Sequence, residues 1–235
     1  MILMQTRTPY IFVTILLFFF TPTSGSFAES VINCHCFQDR TYNHADPFAA
    51  DDYILATSFN SFLAKSFDIP KRQIVMLKMK EGVGQNDLLI GLKTAKATKI
   101  DLRQLLRLRR EKSTWSKIIS ELDLRGKQQN DRLLAVIKSG IPVAEAGAKV
   151  ADELIADFFK IPMEMIGEFR LSGLNEKEIV LLLILAHTSD QKPETLVARH
   201  GKEGKSWSGI ADSLGVQAAA AGKLILQYPA KQITE

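Results

Sequence analysis

Phe67-Asp68-Ile69-Pro70 returns as Phe159-Lys160-Ile161-Pro162, and Trp115-Ser116 with Ile118 and Leu122 returns as Trp207-Ser208 with Ile210 and Leu214. In both places the Pro stands 45 residues before the Trp. Between these landmarks Ile74 aligns with Ile166. After a one-residue gap Asp87, Leu88, Ala95 and Leu105 align with Glu178, Ile179, Ala186 and Leu196. A correspondence of this length is the mark of a duplicated folding unit, which specifies architecture and leaves chemistry open.

Outward from these landmarks the pattern is helical. Pro and Gly are sparse, β-branched alternation is nearly absent, and Leu, Ala, Lys and Glu are frequent, so the fold class is all-α. Asp46-Pro47 reads as an N-cap followed by Pro at the first helical position, opening a helix to about Phe67 that Pro70 ends. A short helix over 71–80 stops at Gly82, Asn86 caps a third, Asp101 a fourth, and Ser113 or Thr114 a fifth. The order then repeats, with Asn175 and Glu178 at capping-box spacing and Pro193 and Ser206 opening later helices.

The resulting organisation is two tandem units of about five helices, 47–124 and 143–228, joined by a connector at 125–142 and followed by a tail at 229–235. A short helix is expected within the connector, and an Ala-rich helix over 217–228 has no counterpart in the first unit. The third helix of each unit is apolar all round and is expected to be a central post. Trp115 and Trp207 are expected to be buried against the helices that begin after Pro70 and Pro162.

Residues 1–28 read as a cleaved signal peptide: Arg7 precedes a ten-residue apolar run over 11–20, then Pro, Ser and Gly, then Ser26-Phe27-Ala28. The run is shorter than the roughly 18 residues that a membrane span needs, so no transmembrane anchor is expected after cleavage. The protein is therefore expected to be exported, either periplasmic or secreted. A polar lead-in at 29–46 carries both cysteines.

The formal net charge of +4 hides a polarised distribution. Residues 52–127 hold 16 Lys/Arg against 8 Asp/Glu, whereas residues 142–227 hold 9 against 12. Arg103, Arg107 and Arg110 fall at i, i+4 and i+7 on the helix opened by Asp101 and so share a face. Such a stripe suits an acidic protein or another anionic surface, and it equally suits the solvated side of an amphipathic helix.

Cys34-His35-Cys36, with His44 beyond, is the one cluster of soft ligands, and thiolate with imidazole suits copper or zinc. A disulfide, within or between chains, and an incidental thiol pair compete with that reading. Trp207-x-x-Ile210 with Ala211 and Leu214-Gly215 resembles the first helix and turn of helix-turn-helix domains. The residues that follow, Val216 to Ala221, lack the side chains that read several base edges, so sequence-specific nucleic-acid binding is not expected.

Gly204-Lys205-Ser206 resembles the end of a phosphate-binding loop, yet Arg199 stands where that motif needs its first Gly. The nucleophile elbow, the zinc-protease helix and the dinucleotide fingerprint are missing, and no catalytic or cofactor-binding residue is assigned. The first expectation is thus a non-catalytic exported scaffold or interaction protein with a protein partner. The alternatives are a copper- or zinc-handling protein and a helical hydrolase.

Overall fold

A helix stops where the next residues cannot continue it, and Pro70 and Pro162 impose such stops. The computed structural model describes residues 37–111, 114–122 and 131–229. The expected signal peptide and the Cys34-His35-Cys36 segment lie outside the described residues. Among the described residues there are twelve α-helices and no strand. The first five are α1 (Asp51–Phe67), α2 (Lys71–Met79), α3 (Gln85–Thr98), α4 (Leu102–Arg110) and α5 (Trp115–Glu121). A short α6 (Arg132–Lys138) follows. Then come α7 (Val143–Phe159), α8 (Met163–Leu171), α9 (Glu176–Ser189), α10 (Pro193–Gly201), α11 (Trp207–Ser213) and α12 (Ala218–Gln227).

Helices α1 and α7 each run for 17 residues, α2 and α8 for 9, α3 and α9 for 14, α4 and α10 for 9, and α5 and α11 for 7. Their corners match as well. Asp68 and Lys160 both take the left-handed conformation, at φ 52° and 58°, just before the Ile-Pro pairs. In each corner the Ile N–H reaches back to a carbonyl five residues earlier, Ala64 or Ala156. Lys99 and Asp190 close α3 and α9 in the same way, at φ 63° and 53°. A left-handed non-Gly residue costs about 1–2 kcal/mol, so the surrounding packing must hold these four corners.

Side-chain caps open α4 from Asp101, α5 from Thr114, α6 from Asp131 and α11 from Ser206. Asn175 and Glu178 form a complete capping box on α9. Two expected starts differ. The chain from Asp46 to Ala50 is a turn in which the Asp46 carbonyl accepts the Ala49 N–H, and α1 begins only at Asp51. Asn86 lies inside α3, one residue past its start, with Gly84 as N-cap. Its side chain faces Gly147, where any Cβ on α7 would collide with it. That missing Cβ lets α3 and α7 approach closely.

Packing crosses between the two stretches. Helix α1 lies along α12 and against α9, while α3 lies against α7, and α6 bridges α5 and α7. At the α1–α12 crossing Gly222 leaves room for Ser61 and for the Lys71 ammonium. One continuous apolar core results, running from Ile54 on α1 to Ile225 on α12. Every residue of α9 from Ile179 to Ala186 is buried, as the sequence pattern predicts for a central post. On α3 the burial covers Leu88 to Leu92 and Thr94, while Lys93 turns outward to Asp131 and Glu153. Each fully buried Leu, Ile or Phe contributes about 1.5–3 kcal/mol.

Candidate functional site

Trp115 and Trp207 are buried, at 2% and 1% exposure, and the indoles bond to the third and not the second helix of each stretch. The Trp115 Nε1–H donates to Asp87 Oδ1 at 2.7 Å, and Arg109 Nε donates to the same oxygen at 2.9 Å. The Trp207 Nε1–H donates to Glu178 Oε1 at 3.0 Å. There the cation's place is taken by His200, whose ring stacks on the indole at 4.4 Å with Nε2 3.7 Å from Glu178 Oε1. Periodicity buries a Trp but does not say which helix receives it. An indole N–H requires an acceptor when buried, and the first-turn carboxylates Asp87 and Glu178 supply it.

His200 Nδ1 lies 2.8 Å from the Lys205 carbonyl, which can only accept, so Nδ1 donates there, and Nε2 faces Glu178 Oε1 at 3.7 Å, beyond hydrogen-bond distance. A neighbouring junction is fully bonded. Asp51 accepts the Trp207 N–H at 3.0 Å, the Ser208 N–H at 2.8 Å and the Ser208 hydroxyl at 2.6 Å, tying the start of α1 to the start of α11.

The three stripe arginines stay on the surface of α4. Arg103 and Arg110 place Nη2 3.6 Å and 3.8 Å from the two oxygens of Glu81, with side chains 59% and 57% exposed. Arg107 is exposed and has no ion pair among the described residues. Two guanidinium groups thus share one carboxylate, and the third has none among the described residues. Arg109 belongs instead to the Trp115–Asp87 tie. Lys93 is likewise internal. Burial lowers its pKa, but hydrogen bonds and charge from Glu153 and Asp131 outweigh that and hold the ammonium above its ordinary value.

The stripe positions of α4 correspond on α10 to Glu194, Ala198 and Gly201. With Ala198 and Gly201 in place of two arginines, a groove of about 370 Å³ lies between α8 and α10, with Glu168, Phe169, Glu194, Val197 and Lys202 in its walls. The same place in two similar helix pairs is therefore a basic face in one and a groove walled by two Glu and one Lys in the other.

His44 is exposed, its ring edge-on to Tyr42 at 4.8 Å. It opens onto a pocket of about 410 Å³ between the lead-in and α10–α11, which mixes Arg199 and Lys205 with Glu203 and Asp212. Among the described residues no three His, Cys, Asp or Glu side chains converge as a metal site. No described helix is long and apolar enough to cross a membrane. Comparison with family models, with curated proteins and with solved structures gives no match to this chain.

Proposed function

We propose that the chain is an exported, non-catalytic all-α scaffold, built by duplication of a five-helix unit, which receives an acidic protein surface on α4. Duplication is supported by the equal lengths of five helix pairs, the four left-handed corners at corresponding positions and the two Trp–carboxylate ties. The offset between paired helices is 92 residues for α1/α7 and α2/α8, 91 for α3/α9 and α4/α10, and 92 again for α5/α11. Length thus varies in the loops, where insertion is tolerated.

The observation that carries the functional reading is the divergence of the exposed faces over matched interiors. The buried indoles and the Asp87 and Glu178 carboxylates are paired internally, whereas Arg103, Arg107 and Arg110 face outward with only Glu81 to balance them. An acidic partner would supply the missing carboxylates, in bidentate geometry that guanidinium favours.

The test is fluorescence anisotropy with a labelled polyglutamate peptide. Binding is expected to weaken steeply from 0.1 to 1 M salt, as the Debye length falls from about 10 Å to about 3 Å. Reversal of Arg103, Arg107 and Arg110 to Glu should remove it with helical content unchanged. A wild type without salt-sensitive binding would reduce the stripe to a solvated helix face.

A further inference from the structure

Three half-buried cations of this protein have an acid beside them. Lys93 pairs with Asp131 and Glu153, Arg109 with Asp87, and Arg170 with Asp152 and Glu176. Lys65 is held differently, by the Leu226 and Tyr228 carbonyls at the end of α12. One cleft gathers several cations with no acid among its walls. Between the chain at 37–40, α1 and α2 lies a cavity of about 170 Å³ into which Arg40, Lys71 and Lys78 all open, and no carboxylate lines it.

The neutral partners of these cations are few. Lys78 Nζ donates to Asn60 Oδ1 at 3.2 Å, and Lys71 Nζ donates to the Thr57 carbonyl at 3.0 Å and to its hydroxyl at 2.7 Å. Arg40 Nε donates to the Phe37 carbonyl, and its guanidinium lies 5.6 Å from the centre of the Tyr53 ring. None of the three has an acid within ion-pair distance among the described residues. The nearest charges that act on Lys78 come from α9, where Lys177 opposes its proton and Glu176 favours it, and Glu176 is itself engaged by Arg170 and Gln85. The remaining walls are apolar and partly aromatic, with Phe37 and Tyr53 edge to face at 5.4 Å and Met79 alongside.

We infer that this cleft is a binding site for a small organic carboxylate, its anionic end held by Lys78, Lys71 and Arg40 and its apolar body lying against Phe37, Tyr53 and Met79. Long cationic side chains do cover apolar surface with their stems while their heads reach water. Here three such side chains line one concavity, and burial followed by the Lys177 charge brings the Lys78 pKa down to about 8. A bound carboxylate offsets that desolvation at the cluster and restores the proton. The cavity is below the usual range for drug-sized ligands, so a ring or short chain with one acid group is the fitting size.

Benzoate is the probe, titrated calorimetrically into the protein. Saturable binding in the millimolar range or tighter is expected at pH 7, with at least about tenfold weakening in Lys78→Met and in Lys71→Met. Arg107→Glu, on the α4 face, should leave it unchanged. Wild-type protein alone gives a second readout. Since Lys78 is mostly protonated at pH 7 and mostly neutral at pH 9, apparent affinity should fall about tenfold between them, with proton uptake on binding. An ordinary lysine would give almost no change over that range. Absence of saturable benzoate binding, equal binding by Lys78→Met, or equal competition by inorganic phosphate and by benzene-sized carboxylates would overturn the assignment.

Discussion

Replacing Trp207 by Ala tests whether the repeated tryptophans are internal ties. The ring is 1% exposed, it is stacked on His200, and its N–H is held by Glu178. Truncating a buried Trp costs about 3–5 kcal/mol through lost transfer energy and the cavity left behind. Glu178 keeps the Asn175 N–H on Oε2 through the capping box, so its cap survives, but Oε1 loses its closest donor. With a urea m-value of about 2 kcal/mol per molar, a loss of about 4 kcal/mol lowers the unfolding midpoint by about 2 M. Circular dichroism at 222 nm measures it directly, with m checked for constancy.

The Phe variants separate packing from hydrogen bonding. Trp207→Phe deletes the donor to a charged acceptor, worth about 1.5–3 kcal/mol. Trp115→Phe should cost less, because Asp87 Oδ1 still receives Arg109 at 2.9 Å. A midpoint shift below about 0.5 M for Trp207→Ala would refute the reasoning, since a shift that small corresponds to a surface residue.

Asp51→Ala removes the acceptor of two backbone N–H groups and one hydroxyl at the head of α11, and is expected to cost about 2 kcal/mol by denaturant unfolding. Lys78 has a folded pKa near 8 against 10.5 for the ordinary group, so its protonation penalty is complete below about pH 8 and disappears as pH rises towards 10.5. Lys78→Met should therefore be more stable than wild type by about 2 kcal/mol at pH 7, with the gap closing at alkaline pH; a constant gap would sink this account. For the metal alternative, anaerobic zinc or copper(I) titration is expected to protect both thiols near one equivalent and to fail when Cys34 and Cys36 are Ser; equal uptake by both proteins would end it.

The corners at Pro70 and Pro162 were legible because Pro removes an N–H and excludes the helical geometry of the residue before it, whatever the tertiary setting. Caps at Asp101, Thr114, Asn175 and Ser206 were legible for the same local reason. The start of α1 was not. Asp46-Pro47 has the right residue types, but the acid that matters there is Asp51, which serves α11 and not its own helix. Nor does periodicity reveal that α1 meets α9 and α12 while α3 meets α7, because an apolar stripe does not name its partner. The arginine stripe was visible as spacing on α4. The Lys71–Lys78 cleft was not, since two lysines seven residues apart read as the wet side of a short amphipathic helix until the chain at 37–40 closes over them.

The contact between α1 and α12 has a temporal side. Among the described helices ribosomes deliver α1 first and α12 last, so the face of α1 that packs on α12 has no permanent cover until nearly all of them exist. Closing so long a loop is slow compared with local helix formation. A nascent chain stopped after α5 would therefore present the uncovered apolar face of α1 in place of an independent module. A fragment ending before α12 should behave the same way, since deleting the last helix uncovers the first.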